Sequence, residues 1–311
     1  MPQNPIPAQA FARSPSNAIT QVRSDALGNV YASLGGGTRW SVNTVSGLDT
    51  NAGTVYAPFK TMSAALAVVA SNDTIEFVGT VREQLVAPLG VRAVTIIGAV
   101  GGNVRDDDGA KWTVPASPVA GKALLEILEQ GWVFENFLMT PDATGGACIK
   151  AHRAESATYP DSSHFICRKI RFVGAGGTPI GIEDVGGNHH YVIDDCEFQT
   201  LTNAIYCSST SIAVPLRNTI TNNKFYDCTN DINSSQSYGR IEGNRFFTDS
   251  TVTINTVANA AQGGYNIVTG NVFPNAIADI DPAHGYTGAA TDVWTGNLVT
   301  DQAAFAYGVP A

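Results

Sequence analysis

The sequence predicts an all-β solenoid, a parallel β-helix, from its composition and an internal repeat. Charged residues make up 14% of the 311 positions and there are 31 glycines, which is typical of β-structure with many turns. From about residue 130 a six-residue frame recurs, most clearly as ITNNKF, IEGNRF and VTGNVF. Its fourth positions are separated by 33, 26, 27, 21, 27 and 26 residues at Phe137, Ile170, Cys196, Asn223, Asn244, Asn271 and Asn297. A repeat of this length indicates a solenoid.

A second apolar position follows each frame about ten residues later, at Ile149, Ile182, Ile205, Ile232, Ile254, Ile280 and Phe305. Each repeat therefore predicts two short strands separated by turns. Leucine-rich repeats have a similar period, but neither a leucine ladder nor a helical segment is present. Coils of a β-helix stack about 4.8 Å apart, so roughly ten coils would form a rod. The first and sixth frame positions would then point inward as stacked columns.

The first part of the chain predicts different elements. Residues 1–45 are rich in Pro, Gln, Asn, Ser and Gly, and we expect an extended arm that is either disordered or ordered against a partner. A hairpin around Leu27–Gly28–Asn29 is expected within it. Residues 60–70 have the apolar spacing of a short amphipathic helix, capped by Thr61 or Ser63. The β-helix domain is expected to cover residues 46–311.

The segment 47–97 resembles the N-terminal part of right-handed parallel β-helix proteins of the pectate-lyase-like superfamily. The matching residues are Asp49–Thr50–Asn51–Ala52–Gly53, Ala57–Pro58–Phe59–Lys60–Thr61, Asp73–Thr74–Ile75, Gly79–Thr80–Val81 and Val94–Thr95–Ile96–Ile97–Gly98. The resemblance implies that the helix closes the open end of the coil stack. It also implies a phage tailspike or virion protein type, and hence a homotrimer. It assigns no catalytic residues, because no catalytic motif of the family matches position by position.

Charge and segment patterns narrow the functional classes. The formal net charge is −9 without a cluster of Lys and Arg, which argues against nucleic acid as a partner. No apolar run reaches the ~20 residues of a membrane span, and the N-terminal residues lack the apolar stretch of a secretory signal. The five cysteines lack metal or redox spacing and are expected to be reduced and buried. We therefore expect synthesis in a host cytoplasm, without membrane or cofactor.

Carboxylates and histidines provide the candidate chemistry. Asp194, Asp195 and Glu183 are the candidate catalytic residues if the protein is a glycosidase, which needs two carboxylates. Because adjacent strand residues point to opposite faces, Asp194 would need Glu183 or Glu242 as a partner from another coil. A structural ion pair with Arg168 is the alternative.

Two further patterns have a structural alternative that the sequence favours. Asp106–Asp107–Asp108 suits calcium but lacks the spacing of a calcium loop, so an acidic solvated turn is favoured. His189–His190 could bind metal or act as a base, but no further ligand lies at the required spacing, so a surface loop is favoured.

Aromatic residues in the two longest excursions, 99–122 and 150–165, are the candidates for glycan binding. These are Trp112, Tyr159 and the nearby His152, which could line a shallow groove. The asparagine column, Asn223, Asn244, Asn271 and Asn297, is instead expected to be a structural ladder of stacked amides at a turn.

The favoured function is a structural component of a bacteriophage virion: a trimeric β-helical spike, tail fibre or capsid decoration. Residues 1–45 would attach it to other virion proteins, and the rod would contact surface polysaccharides of the host. The alternative is a polysaccharide-degrading tailspike enzyme, a hydrolase or lyase. A bacterial adhesin is less favoured, because no export signal is visible.

Overall fold

The computed structural model describes residues 10–13, 19–24, 30–32, 37–99, 109–152, 162–207, 216–234, 236–247, 252–256, 264–273, 286–288, 291–299 and 305–306. The helix is α1 (Met62–Val68). The strands up to the middle of the chain are β1 (Ala10–Arg13), β2 (Ile19–Ser24), β3 (Val30–Ala32), β4 (Arg39–Asn43), β5 (Thr74–Val78), β6 (Thr80–Arg82), β7 (Leu85–Val86), β8 (Thr95–Gly98), β9 (Lys111–Thr113), β10 (Leu125–Ile127), β11 (Val133–Glu135), β12 (Leu138–Thr140), β13 (Ala147–His152), β14 (Ile166–Arg168), β15 (Arg171–Val173) and β16 (Ile180–Val185). The remaining strands are β17 (Val192–Asp194), β18 (Glu197–Gln199), β19 (Asn203–Cys207), β20 (Thr219–Thr221), β21 (Lys224–Tyr226), β22 (Asn230–Asn233), β23 (Arg240–Glu242), β24 (Arg245–Phe246), β25 (Val252–Asn255), β26 (Ile267–Thr269), β27 (Val272–Phe273), β28 (Tyr286–Thr287), β29 (Val293–Thr295), β30 (Asn297–Val299) and β31 (Phe305–Ala306).

Three sheets run along the rod, and from β5 to β30 every third strand of the chain returns to the same sheet. Sheet 1 has ten strands in the order β29-β26-β23-β20-β17-β14-β11-β8-β5-β4. Sheet 2 has ten strands in the order β31-β30-β27-β24-β21-β18-β15-β12-β9-β6, and sheet 3 has eight in the order β28-β25-β22-β19-β16-β13-β10-β7. Neighbours in each sheet are parallel, except β30 and β31. The predicted parallel β-helix is confirmed, but each coil has three strands and not two.

The inward columns account for the repeat. In sheet 1 the first frame position stacks Ile193, Ile220, Ile241 and Val268 in register, and all four are buried. In sheet 2 the sixth position is a column of five stacked phenylalanines with ring centroids 4.7–5.1 Å apart, Phe172, Phe198, Phe225, Phe246 and Phe273. Buried aromatic surface of this size dominates the energetics of a core.

From Ile149 to Ile254, the second apolar position of each repeat lies in a strand of sheet 3. This strand is the second of the two strands that the sequence predicted for each repeat. Ile149, Ile182, Ile205, Ile232 and Ile254 are register partners in turn. The next partner of Ile254 is Tyr286, so the predicted Ile280 was wrong for this rung, and Ile280 itself lies outside the described residues. Phe305 was also placed wrongly, because it pairs antiparallel with Leu298 in sheet 2.

The first coil is closed by α1. Thr61 is the N-cap, and its hydroxyl accepts a hydrogen bond from the amide of Ala64. Glu83 accepts bonds from the amides of Met62 and Ser63 at 2.8 and 2.9 Å, so two backbone donors at the helix start are satisfied. Met62, Ala65 and Leu66 are buried in the core, and the helix contacts β4, the end strand of sheet 1.

The first strand of the rod lies within residues 1–45, the segment that the sequence assigned to the arm. Strands β1, β2 and β3 form an antiparallel sheet of their own, in which Val22 pairs with Ala32 and Ser24 with Val30, consistent with the predicted hairpin. Strand β4, at Arg39–Asn43, already pairs with β5 of the rod. The coil stack therefore starts before residue 46. Within the described residues, no helix has the length and hydrophobicity needed to cross a membrane.

Candidate functional site

The asparagine column lies inside the corner between sheets 1 and 2. The Asn244 side-chain oxygen accepts bonds from the Asn223 amide and side-chain nitrogen at 2.9 and 3.0 Å. Asn271 receives the same pair of bonds from Asn244, and Asn297 receives them from Asn271, all at 3.0 Å. Each side-chain nitrogen also donates to a backbone carbonyl of the preceding coil, as Asn244 does to Ile220 at 2.9 Å. The four side chains are buried, so the ladder is sealed from any ligand.

The left-handed residue at this corner is the one before the asparagine. Gly243, Gly270 and Gly296 have φ of 66°, 63° and 64°, and Asn136 and Asn222 occupy the same position in other coils with φ of 65° and 57°. The four ladder asparagines themselves do not have a positive φ. Their role is to supply hydrogen bonds to a backbone that the preceding residue bends.

A second buried polar column at the corner between sheets 3 and 1 was missed by sequence reasoning. Asn218 accepts from the Tyr191 amide at 3.1 Å, Asn266 accepts from the Gly239 amide at 2.8 Å, and Asp292 accepts from the Asn266 amide at 2.9 Å. These residues lie two positions before the inward residue of sheet 1. The signal was present in the sequence as a recurring Asn or Asp at that offset.

The outer face of sheet 3 brings together most of the accessible chemistry. One outward column contains Glu126, Lys150, Glu183, Tyr206, Asn233 and Asn255 as successive register partners. His152 lies at the end of β13 on the same face. Two of the residues predicted from the sequence, Glu183 and His152, therefore share a face.

The charged half of this face is internally paired. Lys150 Nζ lies 3.1 Å from Glu183 Oε2, and His152 Nε2 lies 3.2 Å from Glu126 Oε2. The hydrogen bond from His152, with smaller contributions from its charge and those of Lys150 and Lys122, lowers the pKa of Glu126 despite partial burial. A glycosidase acid requires the opposite shift, because it must hold a proton at neutral pH.

The other half of this face is uncharged. Asn230 donates to the side-chain oxygen of Asn203 at 2.8 Å, and Asn255 donates to that of Asn233 at 3.2 Å. Each of these side chains is partly exposed. Amides with a phenol alongside suit the hydroxyls of a sugar better than they suit an ion, since they donate and accept without charge.

The candidate catalytic carboxylates are not brought together. Asp194 is on the outer face of sheet 1, where it accepts bonds from Thr221 and Asn222 at 2.8 and 2.9 Å. Asp195 is at the exposed corner with φ 51°. Glu183 is on sheet 3, and Thr221 separates Asp194 from Glu242 in the register. The pairing of Asp194 with either glutamate is therefore not supported.

The structure does not place the predicted glycan-binding aromatic residues in a common groove. Trp112 is fully buried in β9 and donates to the carbonyl of Glu83 at 2.8 Å. The prediction for Trp112 was wrong, because a strand crosses the supposed excursion and turns the ring into the core. Tyr159 lies outside the described residues, as do Asp106–Asp107–Asp108.

Histidines and cysteines offer no further centre. His189 Nδ1 accepts from the Leu216 amide at 2.9 Å, and His190 stacks on His164 with ring centroids 4.8 Å apart. All five cysteines are buried, and burial raises the pKa of the Cys196 and Cys228 thiols to about 12, which leaves them unreactive. Among the described residues, no group of three or more His, Cys, Asp or Glu could hold a metal ion.

Known structures share this architecture at low sequence identity. The Escherichia coli protein ybhC matches with a TM-score of 0.50 and 11% identity over 83% of this chain and 75% of that one. The fold is a right-handed parallel β-helix. Pectate lyase Pel9A matches at 0.44 and 14% over 76% of this chain, which spans only 62% of the lyase. The Dettilon tailspike protein gp208 matches at 0.34 and 15% over 83% and 61%. No protein-family model and no curated protein matches the chain.

Proposed function

We propose that this protein is a structural component of a bacteriophage virion, a β-helical spike, tail fibre or capsid decoration that assembles as a homotrimer. The observation that carries the proposal is the pair of buried columns, four asparagines and five phenylalanines, that joins successive coils in the second half of the rod. Such columns stiffen the rod along its axis where they occur, because each of these coils is hydrogen-bonded to or stacked on the next. Residues up to 36 would attach the rod to its particle, since the sheet of β1, β2 and β3 shares no strand with the rod.

The attachment can be tested by deleting residues 2–36, which spares Thr38 and its bond to Asp73 and the whole of β4. The truncated rod should keep its β-sheet circular dichroism and lose its place on the particle. Electron microscopy and blotting of purified particles measure this. Incorporation at the level of the full chain would contradict the attachment role.

We place the contact with host surface glycan on the uncharged half of the outer face of sheet 3. Tyr206 and the amides of Asn203 and Asn233 would bind sugar hydroxyls there. Side chains on neighbouring coils of this face are about 4.8 Å apart along the rod. The double variant Tyr206→Phe with Asn233→Ala should weaken binding to host cells by about tenfold, as expected for losing two hydrogen bonds. Unchanged adsorption of the variant protein would remove sheet 3 from the proposal.

The second candidate function is a polysaccharide-degrading enzyme, and the observation favouring it is the position of Glu126 and Glu183. They lie in one column with Lys150 between them, so their backbones are about 9.6 Å apart by coil spacing. Inverting glycosidases hold an acid and a base with their carboxyl groups roughly 6.5–9.5 Å apart, close to this backbone spacing, and the lowered pKa of Glu126 would suit only the base. Release of reducing sugar from host polysaccharide, abolished by Glu126→Gln and by Glu183→Gln, would establish the enzyme. Absence of cleavage with retained binding supports the structural role.

A further inference from the structure

The outer face of sheet 2 is basic, although the chain as a whole carries a net charge of −9. Its outward positions contain five basic residues and one carboxylate, Glu197, which pairs with Arg171 at 3.0 Å. The basic residues are Arg82, Lys111, Arg171, Lys224 and Arg245. Positive charge is therefore concentrated on one face of an acidic rod, where it can attract an anionic partner.

Two of these cations are adjacent. Lys224 and Arg245 are direct register partners on neighbouring coils, and neither forms an ion pair with any described residue. On its other side Lys224 has Glu197 as its register partner, and the Glu197 carboxylate lies 3.0 Å from Arg171. Like charges directly opposite on neighbouring strands are destabilising, so the fold gains nothing from placing Arg245 beside Lys224.

An aromatic pair lies beside the two cations. Tyr226 and Phe247 follow them by two residues and stack with centroids 4.3 Å apart and planes within 10°. Phe247 is 44% exposed. Lys224, Arg245, Tyr226 and Phe247 form a compact block, which we call the basic–aromatic block.

We propose that the basic–aromatic block binds the acidic groups of an anionic polysaccharide. The cations would pair with successive carboxylates or phosphates along the polymer, and the aromatic pair would contact the sugar rings. This site lies on a different sheet from the glycan contact on sheet 3, and it does not depend on the virion role. A polymer with closely spaced acidic groups fits, because the two cations lie one coil spacing apart, about 4.8 Å.

The test measures binding of purified full-length protein to alginate, a carboxylated polysaccharide, at low and at high salt. The double variant Lys224→Gln with Arg245→Gln should bind alginate about tenfold more weakly and lose most of the salt dependence. Its thermal midpoint should stay close to that of the wild type, because losing the like-charge neighbours Lys224 and Arg245 offsets losing the opposite-charge neighbours Lys224 and Glu197. A matched control, Arg39→Gln with Arg240→Gln, removes the same charge from sheet 1 and should bind as the wild type.

Two further probes separate the sugar from its charge. Dextran, a neutral polysaccharide, should not bind to the block. Inorganic polyphosphate should bind to the wild type, and its binding should be weaker in the variant that lacks both cations. Phe247→Leu should weaken the binding of alginate about threefold and leave the binding of polyphosphate unchanged. The proposal is overturned if wild-type protein does not bind alginate, if the control weakens binding as much as the block variant, or if Phe247→Leu affects neither probe. Loss of thermal stability in the double variant would assign the cations to the fold.

Discussion

The coils before residue 200 and those after it fill the corner between sheets 1 and 2 with different chemistry. Before it, this corner holds Phe137, Ile170 and Cys196, all buried. After it, the same corner holds the asparagine ladder described above. An apolar side chain packs against whatever lies next to it, whereas a buried amide must find its partners. The amide corners therefore specify how successive coils align, while the apolar corners specify only that they touch.

The largest expected effect comes from replacing a central rung with an apolar residue of similar size. Asn244→Leu leaves the amide of Asn223 and the carbonyl of Ile220 without this partner, and it removes one of the two hydrogen bonds that the Asn271 side chain accepts from residue 244. Each buried unsatisfied group costs about 1–3 kcal/mol, so we expect a loss of about 4 kcal/mol in the free energy of unfolding. Denaturant titration measures it, and a loss below about 1 kcal/mol would contradict the account.

At the apolar corner, a substitution that conserves side-chain volume should cost little stability, and a truncation should cost more. Ile170→Leu conserves volume and should cost less than about 1.5 kcal/mol, while Ile170→Ala should cost about 3 kcal/mol through its cavity. The same denaturant titration applies. If Ile170→Leu proved as damaging as Asn244→Leu, the two corners would not differ in the way proposed.

A smaller effect is expected at the bend before the rung. Gly243 has φ 66°, and an added Cβ would lie 2.9 Å from the side-chain oxygen of Asn222. Gly243→Ala should cost about 1–2 kcal/mol, measured as a shift in the thermal midpoint. Gly243→Asn is the matched control and should cost less, because asparagine adopts this geometry at Asn136 and Asn222. Equal losses for both would point to crowding and not to backbone geometry.

The smallest expected effects are on the pH dependence of stability. They come from Glu126 and Glu83, which lie in the coils with apolar corners. The pKa of Glu126 is lowered from 4.5, so its contribution to stability is present above pH 4.5 and is lost as the pH falls through the folded-state value. Burial raises the pKa of Glu83 from 4.5 against its two backbone hydrogen bonds, with the nearby Asp49 charge adding to the rise. That group therefore gains stability as the pH falls from neutral through its raised value.

Glu126→Gln and Glu83→Gln should consequently change the pH dependence of the unfolding free energy in opposite senses, each by less than about 1 kcal/mol. Unfolding curves collected from neutral to acidic pH measure both. The ladder of four asparagines has no titratable rung, so its contribution should not vary over this range. Identical pH profiles for the two variants would contradict the assigned shifts.

The fold was largely predictable because its repeat is visible in single residues. Frame positions one, four and six are buried and in register wherever the structure describes them, so spacing alone located Ile241, Asn244 and Phe246. The third strand was missed because the frame was counted as one strand, whereas the corner in its middle divides it between sheets 1 and 2, as β23 and β24 show. Trp112 was misjudged because the excursion around it interrupts the repeat and conceals β9.

The functional faces were less predictable, because they depend on which residues of different coils become neighbours. Glu126 and His152 are 26 residues apart in the chain, and nothing in either local segment indicates that they meet. Lys224 and Arg245 occupy the same frame position, but only the register between β21 and β24 shows that they lie side by side. Asp194 and Glu183 were predicted to form a catalytic pair because both are carboxylates. The division of each coil into three sheets separates them, because Asp194 lies on sheet 1 and Glu183 on sheet 3.

The central claim, that the amide ladder aligns the later coils, is tested most directly by native-state hydrogen exchange on Asn244→Leu. Exchange should accelerate in the strands from β20 to β30, while β5, β8, β10 and β13 keep the protection that they have in the wild type. Such a boundary is expected of a repeat protein whose coils contact only their neighbours. Uniform loss of protection along the rod, or unchanged protection from β20 onward, would contradict the claim.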